Sequence, residues 1–134
     1  MKANLNLNKS GRPFRRAGFT LTEMMITVAI VGMLTSMAIP HFLKARASAQ
    51  LNTIYHNLRQ IDSAKEQWAL EHMKAVGTVV SDLTEIKDYL RNGKVTDVIR
   101  ENYVLNPVGT PPDAALPSGV GLGPYAPGAI IPAP

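Results

Sequence analysis

The chain has 134 residues and a mass of 14.5 kDa, a size that suits one domain and is too small for most multi-domain enzymes. Residues 1–18 hold five Lys or Arg and no acid, whereas residues 19–134 hold nine cations against ten acids. The pI of 9.6 therefore reflects the N-terminal segment, and no nucleic-acid partner is expected, because the rest lacks a net positive charge. The chain has no Cys, which excludes disulfides and thiolate metal sites.

An apolar segment follows the basic one. Residues 19–39 have the sequence FTLTEMMITVAIVGMLTSMAI, in which Glu23 is the one ionisable side chain. A helix of this length would span roughly 31 Å, about the thickness of the hydrocarbon core of a bilayer. We therefore predict a single membrane-spanning helix, with a cytoplasmic N-terminus because the positive charges precede it.

Two other interpretations of residues 19–39 stay open. A buried core helix is one, although so small a chain has little other apolar mass to surround it. A cleaved secretory signal is the other, since Ala47 and Ala49 flank Ser48 in an A-x-A pattern. The apolar run is longer than the roughly 7 to 15 residues of a typical signal, and the helical pattern continues after Pro40, so the membrane anchor is favoured.

Glu23 is the unusual residue of this segment. A carboxylate in an apolar helix is costly unless it is paired. If the chain were cut shortly before Glu23, the carboxylate would lie in the first helical turn, where the helix dipole favours a negative charge. A new α-amino group could then be its counter-charge. The alternative is that Glu23 lies near the membrane interface and stays hydrated.

The order of these features is specific. In RRAGFTLTEMMITVAIVGML, residues 15–34, a basic leader is followed by Gly18, Phe19, Glu23 and an uninterrupted apolar helix. This stretch resembles the N-terminal region of type IV prepilins and of the pseudopilins of type II secretion systems. The resemblance covers about a fifth of the sequence closely.

The resemblance implies a maturation pathway. A prepilin peptidase would recognise a leader that contains Arg15 and Arg16, cut between Gly18 and Phe19, and methylate the new amino group of Phe19. Glu23 would pair with the N-terminus of a neighbouring subunit during filament assembly. Assembly would also involve other pilins or pseudopilins and an inner-membrane platform.

Gly32 and Pro40 mark the weakest stretch of the predicted helix. Gly costs roughly 1 kcal/mol relative to Ala in a helix, and Pro removes a backbone donor. We expect this stretch to bend or to unwind locally when subunits pack, with a fixed kink at Pro40 as the alternative.

A second, amphipathic helical segment is predicted for residues 40–75. Its apolar positions recur at spacings of 3, 4 and 7, which predicts a narrow buried stripe, and Trp68 is expected to anchor the core. The residues between them are expected to form a solvated face. The stripe consists of Ala47, Leu51, Ile54, Leu58, Ile61 and Trp68, and the solvated residues are Gln50, Asn52, Arg59, Gln60, Asp62, Lys65, Glu66 and Gln67.

A small globular part is predicted for residues 76–105. Gly77 is expected to end the long helix. Ser81 is a candidate N-cap for a short helix over residues 82–91, with a buried edge of Leu83, Ile86 and Leu90. Residues 95–99 and 102–105 are brief strand candidates.

Residues 106–134 contain eight prolines and five glycines. This composition predicts neither a helix nor a central strand. We expect an irregular wrap over the domain and a mobile tail, with Val108, Tyr125 and the pair Ile130 and Ile131 as contact points.

Catalytic and metal-binding patterns are absent from the sequence. His41, His56 and His72 would lie roughly 23 Å apart on a straight helix, too far apart for one metal ion. The acids after residue 93, which are Asp97, Glu101 and Asp113, are too few for a calcium loop of the kind found in major pseudopilins. Neither an enzyme activity nor a cofactor is expected.

These observations predict an α+β, pilin-like fold. One long N-terminal helix would pack on a small C-terminal domain with a short helix and a minimal antiparallel sheet. The function implied by the resemblance is a filament subunit that is held in the inner membrane, among lipids, before assembly. A single-pass anchored binding module that does not polymerise is the second hypothesis. The predicted segments are 1–18, 19–39, 40–75, 76–105 and 106–134.

Overall fold

The computed structural model describes residues 18–134. The chain divides into two compact units, of which the first ends at Met37 and the second is Ala38–Pro134. Helix α1, Leu21–Glu71, contributes residues to both units. The second unit also contains two short 3₁₀ helices and a three-stranded antiparallel sheet. The predicted fold class, a long N-terminal helix with a small α+β domain, is therefore confirmed.

The described part of the first unit is an apolar helix whose side chains are exposed. An 18-residue window of α1 has a mean hydropathy of 1.8, and none of that window is buried. Three hydroxyls in this helix are satisfied by its own backbone, because Thr27, Thr35 and Ser36 donate to the carbonyls of Met24, Val31 and Met33 at 2.7 to 2.9 Å. Length and composition thus suit a membrane span.

The predicted apolar stripe of α1 forms the core of the second unit. Ile54, Leu58 and Ile61 are 0% exposed and Trp68 is 8% exposed, so these predictions are confirmed. Ala47 and Leu51 are partly buried against the same core. Their spacing of three, four and seven residues places them on one side of the helix.

Lys65 corrects the predicted solvated face, because its side chain is 0% exposed. It follows Ile61 by four residues and Leu58 by seven, which places it on the buried side of α1. Its Nζ donates to the carbonyls of Leu105, at 3.2 Å, and Thr110. The same nitrogen lies 3.3 Å from Asp62 Oδ1. Three partners match the three donors of an ammonium group.

Helix α1 ends at Glu71, six residues before the predicted stop at Gly77. The backbone N–H of Lys74 donates to Ala69 O at 2.8 Å, and that of Met73 donates to Leu70 O at 3.3 Å. This pattern is a Schellman motif, which needs a left-handed residue after the cap. Met73 fills that position with φ 50°, a conformation that costs an L-residue roughly 1 to 2 kcal/mol.

We expect Met73→Gly to raise the free energy of unfolding by about 0.5 kcal/mol, because relief of the left-handed strain exceeds the added freedom of the unfolded chain. The Met73 side chain is 95% exposed, so its removal uncovers no core. Chemical denaturation of the detergent-solubilised chain measures the change. Met73→Ala, which keeps the Cβ, is the control and should show no gain. A gain as large as that of the glycine variant would contradict the role of strain.

Residues 82–91 form turns and 3₁₀ helices, and not the predicted α-helix. The two 3₁₀ helices are Lys87–Tyr89 and Arg91–Gly93, and Asn92 has φ 65° in the second. A segment this short gains too few helical hydrogen bonds to offset its nucleation. The predicted buried edge is nonetheless present, since Ile86 and Leu90 are buried and Leu83 is partly buried.

The sheet has the order β1-β2-β3. Strand β1, Asn102–Val104, matches a predicted strand, whereas residues 95–99 form none. Strands β2, Asp113–Ala115, and β3, Ile130–Pro132, both lie in the segment predicted as irregular. The prediction that residues 106–134 hold no central strand is therefore wrong. Strand β2 can form because residues 113–115 contain neither proline nor glycine. Strand β3 contains Pro132, which is tolerated because β3 is an edge strand.

The sheet covers α1 with one small apolar face. Tyr103, Ala114 and Ile131, one from each strand, lie opposite one another in register and are at most 9% exposed. Of the contact points predicted for the C-terminal segment, Val108 and Ile131 are buried and Tyr125 is partly buried. The prediction is wrong for Ile130, which is 62% exposed because it lies beside Ile131 in the strand and points to the other face. The Tyr125 hydroxyl lies 3.0 Å from that of Tyr55 on α1.

A buried polar cluster joins α1 to the segment before β1. Glu101 is 6% exposed and accepts hydrogen bonds from the backbone N–H groups of Val98 and Ile99 and from the Tyr103 hydroxyl, at 2.6 to 3.0 Å. Asn57 of α1 donates to the Tyr103 hydroxyl at 2.8 Å. The carboxylate therefore fixes the turn that leads into the first strand.

Candidate processing and assembly site at the start of helix α1

The first turn of α1 is closed by reciprocal hydrogen bonds between Thr20 and Glu23. The Thr20 N–H and the Thr20 hydroxyl both donate to Glu23 Oε2 at 2.8 Å. The Glu23 N–H donates to Thr20 Oγ1 at 3.2 Å. This arrangement is a capping box, in which an N-cap Thr and a Glu three residues later satisfy each other's free N–H groups.

The sequence contains a signal for this cap. Thr20 and Glu23 have the T-x-x-E spacing of a capping box directly before an apolar run. The prediction placed Glu23 in the first turn only if the chain is cut shortly before it, whereas helix α1 begins at Leu21 in the full chain. The structure adds that its carboxylate has a partner within its own chain.

Gly18 and Phe19 precede the helix and are open to the surroundings. No atom of residues 18–134 lies within 4 Å of the position that a Cβ on Gly18 would take, and the Phe19 side chain is 77% exposed. Both residues lie outside the helical hydrogen bonds. Among the described residues, nothing covers the peptide bond between them, and its hydrolysis would leave an amine next to the Thr20 cap.

The remaining predicted site residues do not join this cluster. Gly32 and Pro40 lie inside α1, and no neighbouring atom lies within 4 Å of a Cβ added at Gly32. The α-helix continues through both positions. Arg15 and Arg16, predicted for leader recognition, lie outside the described residues.

Glu23 forms no ion pair and belongs to no metal-ligand group within the described residues. The one ion pair within residues 18–134 is that of Lys65 with Asp62, so Glu23 has no cation within 4 Å in the described chain. The same residues contain no group of three or more His, Cys, Asp or Glu side chains able to hold a metal ion. The groups that this site offers are therefore an exposed backbone segment at Gly18 and Phe19 and an exposed carboxylate at Glu23.

The N-terminal region of the chain matches a known protein family. Residues 13–39 match the family described as the prokaryotic N-terminal methylation motif. The match covers the candidate cleavage position, the capping box and the apolar part of α1 that follows.

Curated relatives share this region. The chain is 40% identical over 57 residues to the type IV major pilin protein PilA of Myxococcus xanthus strain DK1622, which is 42% of this chain and 26% of that protein. It is 34% identical over 68 residues to a fimbrial protein of Pseudomonas aeruginosa, 51% of this chain and 44% of the relative. It is 26% identical over 65 residues to the type II secretion system core protein G of Pectobacterium carotovorum subsp. carotovorum, 48% of this chain and 42% of the relative.

The chain thus spans less than half the length of each of these relatives. None of the solved structures matches it significantly. The chain is therefore similar, at the methylation motif and the apolar helix that follows it, to type IV pilin and fimbrial proteins and to a type II secretion system core protein.

Proposed function

We propose that this chain is a structural subunit, without enzyme activity, of a type IV pilus-like or type II secretion filament. The observation that carries the proposal is the apolar first unit, whose large side chains from Leu21 to Met37 are 45% to 79% exposed. Such a surface needs an apolar environment. Lipid would supply it before assembly, and the helices of other copies would supply it in the filament.

Processing would precede assembly. A prepilin peptidase would remove residues 1–18 by cutting between Gly18 and Phe19, with Arg15 and Arg16 in the recognised leader, and Phe19 would then be methylated. The segment 19–39 would span the inner membrane, with the preceding positive charges in the cytoplasm. Residues 40–75, 76–105 and 106–134 would lie on the outer side.

Glu23 would set the register between subunits. The amine of Phe19 from a neighbouring copy would be its counter-charge, because an unpaired carboxylate surrounded by apolar helices is costly. The bonds from Thr20 would satisfy the carboxylate until that amine arrives. Gly32 and Pro40 would let the helix bend or unwind locally as copies pack. Other pilins or pseudopilins and a membrane platform would be the assembly partners.

The N-terminus of the chain isolated from native cells tests the proposal. Mass spectrometry should find a chain that begins with methylated Phe19. An intact Met1 would support the alternative function, a single-pass anchored binding module that does not polymerise. A chain that begins at Gln50, after the A-x-A pattern, would indicate a secreted protein and would contradict both.

We expect Glu23→Gln to reduce the yield of sheared filaments by about tenfold or more while cleavage continues, because glutamine keeps the helix cap but carries no charge for the amine. Thr20→Val is the matched control, since it removes the capping hydroxyl and keeps the carboxylate. Its filament yield should stay close to that of the wild type. A normal yield from Glu23→Gln would exclude the register role.

A further inference from the structure

A polar recess lies between α1 and residues 91–98, and the proposed function does not use it. It has a volume of about 360 Å³, at the lower end of the roughly 300 to 1,000 Å³ of small-molecule sites. Thr53, Asn57 and Gln60 of α1 line it together with residues of the segment 91–98. All of these residues belong to the second unit. This space is named the 91–98 recess.

Hydrogen bonds from α1 hold the segment 91–98 in place. Asn57 Nδ2 donates to Thr96 O at 3.0 Å, and Gln60 Nε2 donates to Arg91 O at 3.5 Å. Asn57 Nδ2 also donates to the Tyr103 hydroxyl at 2.8 Å, so this amide is fixed from two directions. A ligand would therefore meet walls that are already ordered, which lowers the entropic cost of binding.

Asn57 carries an acceptor that the described chain does not use. The residue is only 8% exposed, and both of its hydrogen bonds come from the amide nitrogen. Its Oδ1 accepts none from residues 18–134. Since no fully buried side-chain N or O atom of those residues lacks a partner, this oxygen is open to the 91–98 recess. A deeply placed amide oxygen without a donor is a point to which a hydroxyl of a ligand can donate.

The charged residues of the lining favour an anion. Arg91, Lys94 and Asp97 line the recess, and the one ion pair within residues 18–134 involves none of them. Arg59 and His56 border an adjoining recess that shares Arg91. Cations therefore outnumber acids around the recess, and Arg91 offers the planar fork that binds an acid group through two hydrogen bonds.

The rest of the lining suits a hydroxylated ring. Val95 and Val98 line the recess and are partly buried, so they offer an apolar wall to the C–H groups of a ligand. The Thr53 hydroxyl donates to Ala49 O at 3.0 Å and keeps its lone pairs for a donor on the ligand. A simple anion would use the cations alone, and an apolar ligand would leave the Asn57 oxygen without a donor.

We propose that the 91–98 recess binds an acidic sugar. Arg91 and Lys94 would hold its carboxylate or phosphate group, and Asn57 Oδ1 and the Asp97 carboxylate would accept hydrogen bonds from its hydroxyls. The proposal goes beyond the function proposed above and does not depend on filament assembly, because every residue of the recess belongs to one chain.

Nuclear magnetic resonance titration of the isotope-labelled full chain in detergent tests the proposal. The probes are glucuronate, glucose and acetate, added at constant ionic strength because surface charges are screened by salt. Glucuronate should shift the backbone amide signals of residues 91–98 and bind at least about fivefold more tightly than glucose or acetate, since only glucuronate uses the cations and the hydroxyl acceptors together. A glucose phosphate, compared with inorganic phosphate, shows which acid group the recess prefers.

Three variants locate the binding. Arg91→Gln and Lys94→Gln should each weaken glucuronate binding by about fivefold or more, because glutamine keeps a hydrogen-bond donor and loses the charge. Lys74→Gln is the matched control, since Lys74 is exposed and borders a different recess. Its affinity for glucuronate should stay within about twofold of the wild type. Unchanged amide signals outside residues 91–98 would show that each variant keeps the fold.

The opposite outcomes overturn the proposal. Acetate that binds as tightly as glucuronate, with inorganic phosphate as tight as the glucose phosphate, would show a plain anion site. Glucose that binds as tightly as glucuronate would remove the role of the cations. An equal loss with Lys74→Gln, or no shift of the 91–98 signals with either acidic sugar, overturns it too. None of these results bears on the filament function, which the mature N-terminus tests separately.

Discussion

Replacing Lys65 with methionine is expected to lower the free energy of unfolding by about 3 kcal/mol, the largest effect of any single change considered for the second unit. Methionine fits the buried space but leaves the carbonyls of Leu105 and Thr110 without their donor. Asp62 also loses its ion pair, although its side chain is 36% exposed and can be hydrated in part. The loss therefore comes mainly from the two carbonyls.

Thermal unfolding of the detergent-solubilised chain measures this effect. A loss of this size in a unit of about 100 residues corresponds to a fall of about 10 to 20 °C in Tm. Lys87→Met is the matched control, because Lys87 is exposed and has no acid within 4 Å. Its Tm should change by no more than about 2 °C. An equal Tm for the two variants would show that the buried ammonium contributes nothing.

Glu101→Gln is expected to lower the free energy of unfolding by about 2 kcal/mol at neutral pH, because an amide cannot accept all of the hydrogen bonds that the carboxylate accepts. Burial alone would raise the pKa of Glu101. The hydrogen bonds from the Tyr103 hydroxyl and from the Ile99 and Val98 N–H groups outweigh that effect and hold the pKa below its ordinary value of 4.5.

The lowered pKa fixes the sign of the pH dependence. A carboxyl whose pKa is lower in the folded than in the unfolded chain stabilises the fold fully above its ordinary pKa, and this contribution is lost as the pH falls through the folded-state pKa. The difference in Tm between the wild type and Glu101→Gln should therefore be largest at pH 6 to 7 and should shrink below about pH 4.5. Glu85→Gln, an exposed carboxylate that accepts one backbone N–H, is the control. A difference that does not depend on pH would contradict the role of the charge.

Burial and the neighbouring Glu101 raise the pKa of Tyr103. The Tyr103 hydroxyl therefore keeps its proton at neutral pH, and it remains a hydrogen-bond donor to Glu101. This contact couples the turn before β1 to the strand itself. Because Asn57 donates to the same hydroxyl, the cluster also ties the strand to α1.

Local periodicity was sufficient to predict α1 and its buried stripe. The positions of Ile54, Leu58 and Ile61 follow directly from the helical repeat, and the structure buries all three. The same repeat placed Lys65 on the buried side, but its residue type led us to assign it to the solvated face. Its partners come from residues 40 and 45 positions later in the chain, which a local pattern does not reveal.

The sheet was harder to predict for a related reason. A strand of three residues, such as β2, has almost no periodic signal, and its identity depends on pairing with β1 and β3 on either side. The composition of residues 106–134 argued against a strand. The prolines proved to delimit β2, with Pro112 before it and Pro117 after it.

At the candidate site, the sequence contains signals both for the family resemblance and for the helix cap. The order of Gly18, Phe19 and Glu23 predicted the resemblance that the methylation-motif match confirms, and the sequence pattern also identifies Thr20 as an N-cap candidate. The Thr20 hydroxyl both donates to the Glu23 carboxylate and accepts from the Glu23 N–H. These two bonds depend on side-chain geometry, which a sequence pattern does not contain. The roles of Gly18, Phe19, Glu23, Gly32 and Pro40 in processing and assembly stay predictions.

The back-bonded hydroxyls of Thr27, Thr35 and Ser36 have a consequence for subunit extraction. Since each donates to a carbonyl of its own helix, none requires water, lipid or another protein chain as an acceptor. These three hydroxyls therefore keep their hydrogen bonds when the lipid around the helix is replaced by other apolar helices. The main free-energy cost of leaving the bilayer would then be the exposure of apolar side chains to water. Packing against identical helices would keep these side chains buried.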